Sequence, residues 1–234
     1  FKDGLCLSGK GRLVREYPHI PGIDFSGIVL ESEDARFKPG DKVISTGWRV
    51  GEIWFGGYSQ KARVKGEWLV PLPKSMSLKN SMIIGTAGLS AMLGIIELED
   101  NGMRPDTGPI LVTGATGGVG SIAVAVLGSL GYEVTCVTGN VAKNTTFLNQ
   151  LGATNVMERE SLSQPLNKTL ESAVWGGCID TVGGVMLARI LAQMKSNTAV
   201  AAIGNAGDST LPASVIPFLL RGIKLIGIDS ASKE

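Results

Sequence analysis

Histidine and cysteine are scarce in this chain, and their scarcity limits the chemistry that it can perform. The 234 residues include one histidine, His19, and three cysteines that lie far apart, Cys6, Cys136 and Cys178. Zinc sites need histidine or cysteine ligands at short spacings, and a histidine-activated serine needs a motif such as Gly-x-Ser-x-Gly. The sequence contains neither pattern. We therefore expect no metal site, and the odd number of scattered cysteines favours a cytoplasmic protein.

An excess of charge is missing as well. Lysine and arginine together number 22 and aspartate and glutamate 21, so the formal net charge is +1. Proteins that bind nucleic acids or anionic membranes usually carry a strongly basic surface, so we expect neither partner. Hydrophobic residues make up 44% of the chain, which predicts a substantial buried core.

Glycine is abundant, and the segment from Ile110 to Gly120 concentrates it. Ile110 to Thr113 has the composition of a buried strand, and the glycine-rich turn that follows leads into a helix at about Val119. Gly114 would permit a tight turn, Gly117 and Gly118 would leave room for a pyrophosphate, and Gly120 would let the helix pack closely. The helix N-terminus would add free N–H groups and a partial positive charge. We interpret this segment as a dinucleotide-binding turn.

Two other interpretations of the same segment are open. One is a glycine-rich connection without a ligand. The other is a membrane span, since no charged residue occurs from Thr107 to Tyr132. Seven glycines in that run argue against one continuous helix. Strand and helix patterns also alternate on both sides, which favours the nucleotide interpretation.

The N-terminal and C-terminal parts of the chain differ in their predicted structure. Up to about residue 80, frequent glycine and proline predict a β-rich module with short strands. These predicted strands are Phe25–Leu30, Asp41–Ser45, Tyr58–Val64 and Trp68–Val70. Asp3 and Asp24 lie beside turns in this module, either as structural caps or as acid–base groups.

After a predicted helix from Met82 to Leu98, six strands alternate with helices. The strands are Ile110–Thr113, Glu133–Thr138, Asn155–Met157, Cys178–Val182, Thr198–Ile203 and Ile223–Ile228. The helices are Val119–Leu130, Ala142–Leu151 and Val185–Met194, with weaker ones near Lys168 and Phe218. This alternation predicts an α/β fold with a doubly wound parallel sheet of the Rossmann type.

The end of the second strand of this sheet indicates which cofactor is bound. In Rossmann folds an acidic residue there binds the ribose 2′-hydroxyl of NAD, whereas its absence with nearby donors favours the 2′-phosphate of NADP. Here the strand ends with Thr138, Gly139 and Asn140, and Lys143 follows. Glu133 is at the opposite end of the strand. These residues predict NADPH.

Together these segments resemble the medium-chain dehydrogenase/reductase superfamily over essentially the whole chain. Several segments are similar to its zinc-independent quinone oxidoreductase branch, and most closely to NADPH-dependent acryloyl-CoA reductases. They are Phe1–Leu5, Ile20–Gly27, Thr46–Gly51, Ala62–Gly66 and Ile84–Gly88. Gly22-Ile23-Asp24 stands where zinc alcohol dehydrogenases have Gly-His-Glu, so the resemblance implies that this zinc ligand is absent.

The resemblance also implies roles for individual residues. Phe1 would lie near the nicotinamide, and Thr86 would reach the same end of the cofactor. The pyrophosphate turn would comprise Thr116, Gly117, Gly118 and Val119, and the 2′-phosphate site Thr138, Gly139, Asn140 and Arg159. Asn205, Asp229 and Ser230 would line the same cleft. The resemblance identifies no catalytic proton donor.

The implied organisation is a partial GroES-like β domain over residues 1–84, an NADP-binding Rossmann domain over 85–230, and the start of a return segment over 231–234. We expect the natural N-terminus to lie upstream of Phe1.

The implied function is metal-free reduction of an activated C=C bond by NADPH, converting acryloyl-CoA to propionyl-CoA. NADPH:quinone oxidoreduction is an alternative, and so is a non-catalytic NADPH-binding protein. We expect a cytoplasmic homodimer that acts on an enoyl thioester or a quinone.

Overall fold

The computed structural model describes residues 2–9, 12–165 and 168–231. Internal contacts divide the chain into two compact units. Unit 1 comprises residues 1–89 with 229–234, and unit 2 comprises residues 90–228. The domain limits predicted from the sequence, at residues 84 and 230, remain predictions.

Unit 1 contains a small antiparallel sheet. Its elements are α1 (Lys2–Leu7), β1 (Asp24–Ile28), β2 (Lys42–Thr46) and β3 (Leu69–Pro71), and the strand order is β1-β2-β3. Alternate residues of β2 point inward, where Val43 and Ser45 are buried. Trp68 is buried just before β3, and its ring stacks on Trp48 with centroids 6.2 Å apart. The predicted β-rich module is therefore confirmed.

The predicted strand from Tyr58 to Val64 is wrong. That segment consists of bends and irregular backbone, although the three other predicted strands form close to their expected positions. Gln60, Lys61 and Arg63 are all exposed. Among the described residues no strand pairs with this segment. Strand propensity alone does not form a strand without a partner to pair with.

Helix α2 (Leu78–Asp100) contains the division between the two units and is kinked at Gly85, where φ is 50° and ψ is −159°. Within the described ranges it is the one helix long and apolar enough to cross a membrane. Beyond the kink, Ala91, Ile95 and Leu98 are buried in the core of unit 2. This pattern is typical of a core helix.

Unit 2 is a doubly wound α/β domain, as predicted. Its strands are β4 (Ile110–Val112), β5 (Val134–Thr138), β6 (Asn155–Glu158), β7 (Gly177–Asp180), β8 (Ala199–Ala202) and β9 (Lys224–Gly227). Its further helices are α3 (Gly118–Ser129), α4 (Val141–Leu151), α5 (Gly184–Gln193) and α6 (Ile216–Arg221). All strand pairs are parallel, in the order β6-β5-β4-β7-β8-β9.

The core of unit 2 covers both faces of this sheet. In β4, Ile110 and Val112 belong to one buried cluster, whereas Leu111 belongs to the other. Side chains alternate between the faces of a strand, so one strand contributes to both layers. Strands that are buried on both faces read as continuous apolar runs, which is why these strands are recognisable in the sequence.

The predicted weak helix near Phe218 is confirmed as α6, but the one near Lys168 is wrong. Lys168 lies in a bend, and the segment that follows is irregular. The Glu171 N–H donates to the carbonyl of Ala192 at 3.0 Å, and the Arg221 guanidinium donates to the Glu171 carbonyl at 2.5 Å. These long-range bonds take the backbone groups that a helix would use.

Candidate functional site

The glycine-rich turn leaves β4 in the conformation that its sequence predicts. Gly114 has a φ of 57°, the left-handed region that favours glycine. A Cβ there would also collide with Thr181 Oγ1, and a Cβ on Gly120 would collide with the Gly114 carbonyl. Thr116, Gly117 and Gly118 are exposed at the start of α3. The turn thus offers an open stretch of backbone beside a helix N-terminus.

This turn lies where the winding of the sheet reverses. From β4 the chain proceeds outward through β5 and β6, then returns to the other side of β4 with β7. In open α/β sheets, ligands bind outside the carboxyl ends of the strands at such a reversal. The observed topology therefore places the predicted pyrophosphate turn at the expected binding position.

A buried carboxylate fastens β4 to β7 beneath the turn. Asp180 Oδ1 accepts the Thr113 hydroxyl at 2.7 Å, and Asp180 Oδ2 accepts the Gly183 N–H at 2.9 Å. Both Asp180 and Thr113 are fully buried. Burial raises the pKa of Asp180 above its ordinary value of 3.8, and the hydrogen bonds partly offset this rise.

Thr181 extends the same network to the backbone of the turn. Its N–H donates to Thr113 Oγ1 at 2.9 Å, and its hydroxyl donates to the Thr113 carbonyl at 3.0 Å. Asp180 and Thr181 were not among the predicted site residues. The available signal was an acidic residue at the carboxyl end of an otherwise apolar strand.

The predicted ribose end of the site lies at the carboxyl end of β5. The Thr138 side chain is buried, and its Oγ1 accepts the Asn144 side-chain amide at 2.8 Å. Asn140 caps α4, because its Oδ1 accepts the Lys143 N–H at 2.9 Å. Gly139 and Asn140 are both exposed. Direct contacts of these residues with a phosphate remain predictions.

Arg159, which directly follows the neighbouring strand β6, approaches this end. Its guanidinium lies against Gly139, where a Cβ would collide with Arg159 Nη2. Parallel register places the last residue of β6, Glu158, beside Thr138 of β5. Glu158 Oε1 accepts the Val141 N–H at 3.0 Å at the start of α4. The structure thus brings together Gly139, Asn140 and Arg159, and it adds a carboxylate that was not predicted there.

Thr86 belongs to unit 1, where it is bound by Asp24. The Thr86 N–H donates to Asp24 Oδ2 at 2.9 Å, and the Thr86 hydroxyl donates to Oδ1 at 2.5 Å. Burial raises the pKa of Asp24 above 3.8, with the Thr86 bonds acting in the opposite direction. A Cβ on Gly85 would lie 2.7 Å from Asp24 Oδ2. The carboxylate therefore occupies the inside of the α2 kink, which is a structural role.

Asp3 forms a second turn-binding carboxylate in unit 1. Its Oδ1 accepts the Ile23 N–H at 2.9 Å, and its Oδ2 accepts the Tyr58 hydroxyl at 3.2 Å. Both aspartates therefore bind backbone N–H groups that are distant in sequence, a structural role but not the local cap that was expected.

The remaining predicted residues that the structure describes belong to different units. Phe1 lies outside the described residues. Asn205 follows β8 in unit 2, where its Cα lies 3.4 Å from the Cβ position of Gly183. Asp229 and Ser230 belong to unit 1, and Asp229 Oδ1 accepts the Ala231 N–H at 2.9 Å. Their predicted common cleft remains a prediction.

The three thiols are free and buried. Burial raises the pKa of Cys136 to about 12 and that of Cys178 well above its ordinary value. In the part of the chain that the structure describes, no three histidine, cysteine or acidic side chains form a group that could hold a metal ion.

Comparison with known proteins identifies the family. Residues 3–74 match the profile described as alcohol dehydrogenase GroES-like domain, and residues 118–234 match that of zinc-binding dehydrogenase. The chain is 57% identical to acrylyl-CoA reductase AcuI of Ruegeria pomeroyi over 98% of its own length and 69% of the relative. It is 48% identical to the putative quinone oxidoreductase YhfP of Bacillus subtilis, with coverage of 98% and 69%.

Solved structures agree with this assignment. The crystal structure of Escherichia coli K-12 YhdH with bound NADPH has a TM-score of 0.96 at 50% identity, covering 99% of this chain and 71% of that one. That of Bacillus subtilis YhfP with NAD bound has a TM-score of 0.94 at 48% identity, covering 100% and 70%. Both the predicted fold and the predicted family are confirmed. The chain belongs to the medium-chain dehydrogenase/reductase superfamily of oxidoreductases.

Proposed function

We propose that this chain is an NADPH-dependent reductase of activated C=C bonds, with acryloyl-CoA as substrate. The observation that carries the proposal is the 57% identity to an acrylyl-CoA reductase along nearly the whole chain. The open glycine-rich turn at the reversal of the sheet provides the binding position for the cofactor. Arg159 at Gly139 provides a guanidinium where a 2′-phosphate would bind.

Observations at two places on the chain support this cofactor. The exposed backbone of Thr116, Gly117 and Gly118, with Val119, would hold the pyrophosphate. Gly139, Asn140 and Arg159 would hold the 2′-phosphate, with Thr138 behind them. We assign Thr86, Asn205, Asp229 and Ser230 to the same cofactor, as the family resemblance implies.

The proposed chemistry requires no metal ion. NADPH supplies a hydride when it is bound. A thioester conjugated to the alkene makes the β-carbon of the substrate electrophilic. The protein would orient the reactants and stabilise the enolate that hydride addition leaves, and a proton added at the α-carbon would complete the reduction. Asp180 holds β4 and β7 together below the turn and thereby fixes the backbone on which the cofactor would lie.

A direct assay tests this proposal. The purified chain, and a version extended to the length of its relatives, would be mixed with NADPH and acryloyl-CoA while absorbance at the NADPH band is followed. We expect oxidation of NADPH with formation of propionyl-CoA. Oxidation with quinones but not with acryloyl-CoA would favour the second candidate, which the similarity to a putative quinone oxidoreductase supports. Binding of NADPH without turnover of either substrate would favour a non-catalytic NADPH-binding protein.

We further propose a cytoplasmic homodimer without nucleic acid or membrane partners. The net charge of +1 and the three unpaired cysteines support the location and the partners. Strand β9 is an edge of the six-stranded sheet, and Leu219 and Leu220 of the adjoining α6 are exposed. An edge strand beside exposed apolar residues is typical of a surface that a second copy covers. Light scattering of the purified protein, and of a Leu219→Glu variant, would test the dimer.

A further inference from the structure

Glu158 lies at the ribose end of the proposed cofactor site. It is the last residue of β6, and parallel register sets it beside Thr138, the last residue of β5. The end of β5 is where Rossmann folds distinguish NAD from NADP. The acidic residue that the β5 sequence lacks is therefore supplied by the neighbouring strand.

Glu158, which ends β6, and Arg159, which follows it, bring opposite charges to this place. The Arg159 guanidinium lies against Gly139, while the Glu158 carboxylate is bonded to Val141 at the start of α4. Glu158 is exposed. Across the described ranges, no lysine, arginine or histidine lies within ion-pair distance of Glu158. Its negative charge is therefore not cancelled by a direct ion pair.

We propose that Glu158 is the residue that limits the preference for NADPH over NADH. This inference rests on the proposed function, since it concerns the cofactor of the same site. A carboxylate beside the bound 2′-phosphate would repel it and offset part of the attraction from Arg159, whereas the neutral 2′-hydroxyl of NADH would not be repelled. Relatives of similar identity to this chain have been crystallised with different cofactors, one with NADPH and the other with NAD.

The capping bond of Glu158 offers a competing explanation for its presence. A carboxylate that accepts a helix N-terminal N–H stabilises the helix whether or not a cofactor binds. A glutamine in its place keeps an oxygen acceptor for the Val141 N–H and removes the charge. Glu158→Gln therefore removes the negative charge but keeps the hydrogen bond to the Val141 N–H. Glu158→Ala removes both the charge and the hydrogen bond.

The test is a binding titration of wild type, Glu158→Gln, Glu158→Ala and the control Glu133→Gln. Glu133 is exposed and directly precedes the opposite end of β5, so its replacement changes the net charge equally at about 15 Å from the site. NADPH and NADH are followed by their fluorescence. Adenosine 2′,5′-bisphosphate and adenosine 5′-monophosphate, followed by calorimetry, isolate the 2′-phosphate from the nicotinamide. The melting temperature of each variant measures how much the bond from Glu158 to the Val141 N–H stabilises the fold.

We expect Glu158→Gln to lower the Kd of NADPH about three- to tenfold at low salt and to change the Kd of NADH less than about twofold. The Kd of adenosine 2′,5′-bisphosphate should fall by a similar factor. Both decreases in Kd should become smaller at high salt, where charges are screened over about 3 Å. Glu133→Gln should leave the ratio of the two Kd values unchanged.

Three results would overturn the inference. An unchanged ratio in Glu158→Gln, with a lower melting temperature in Glu158→Ala, would show that Glu158 is a helix cap alone. Equal shifts in Glu158→Gln and Glu133→Gln would show a general effect of net charge. If wild type and variants bind neither cofactor, the proposed function fails together with the inference, whereas binding with an unchanged ratio leaves the proposed function intact.

Discussion

At the scale of single residues, Asp180 shows how a charged side chain is kept in the core. Its carboxylate accepts hydrogen bonds from the Thr113 hydroxyl and the Gly183 N–H. Replacement by asparagine would place an NH₂ group opposite one of these two donors, and that hydrogen bond would be lost. We expect Asp180→Asn to lower the free energy of unfolding at pH 7 by about 1–3 kcal/mol. Denaturant unfolding of both proteins measures this difference.

The same pair of proteins should differ in pH dependence. Burial raises the pKa of Asp180 in the folded chain, so the folded state binds this proton more tightly than the unfolded state does. The resulting stabilisation is complete below the unfolded value of 3.8 and is lost as the pH rises through the folded-state pKa. The stability difference between wild type and Asp180→Asn should therefore grow as the pH falls from 7 towards 4. A difference that shrinks with falling pH would contradict the assignment.

Gly139 offers a test of Arg159 that leaves Arg159 itself in place. A Cβ at Gly139 would displace the guanidinium, and the φ of Gly139 lies outside the left-handed region, so alanine is tolerated by the backbone. We expect Gly139→Ala to weaken NADPH binding by about three- to tenfold, as one charge-assisted contact is lost. NADH affinity in the same variant is the control, and equal weakening of both cofactors would show that Arg159 does not contact the 2′-phosphate.

These residues also show what sequence can and cannot predict about a site. The left-handed Gly114 and the close packing of Gly120 follow from local chain geometry, and both are observed. Asp180 and Glu158 depend on which strands are neighbours and in which register. The choice of NADP over NAD was predicted from the residues at the end of β5 alone. That prediction could not take into account Glu158, which lies at the end of the neighbouring strand β6.

At the scale of elements, the parallel sheet was predictable because its strands are continuously apolar and separated by helices. The strand predicted from Tyr58 to Val64 fails because a short segment forms a strand only where a partner strand exists. The helix predicted near Lys168 fails because the side chain of Arg221, distant in sequence, binds its backbone. Both errors concern interactions that a local pattern does not contain.

The kink of α2 is an element-scale feature with a clear test. Gly85 adopts a conformation nearly restricted to glycine, and a Cβ there would meet Asp24 Oδ2 at 2.7 Å. We expect Gly85→Ala to lower the free energy of unfolding by about 1–3 kcal/mol. The matched control is Gly4→Ala in α1, where a Cβ meets no atom within 4 Å. Equal melting temperatures for the two variants would show that the kink accommodates a side chain at residue 85.

At the scale of the whole molecule, the chain belongs to a superfamily that includes zinc-binding dehydrogenases, yet its sequence predicts no zinc. One histidine and three scattered cysteines supply no ligand set. We expect elemental analysis of the purified protein to find well below one zinc per chain. Treatment with a chelator should leave the activity unchanged. One tightly held zinc per chain would contradict this prediction.

The buried cysteines give a further prediction for the intact molecule. Cys6, Cys136 and Cys178 are all buried, and burial raises the pKa of each thiol. Only the thiolate reacts readily, so we expect none of the three to react with a disulfide reagent in the native protein and all three to react after unfolding. Rapid reaction of one thiol under native conditions would indicate local opening around it.

Because all three native thiols are buried, we expect a thiol-specific label to leave the native molecule unmodified. A single cysteine introduced at an exposed position, such as Glu133→Cys, would become the sole attachment point for a fluorophore, without removal of any native cysteine. Dyes attached in this way to positions near the carboxyl ends of β5 and β6 would report cofactor arrival in real time, in a protein whose core remains untouched.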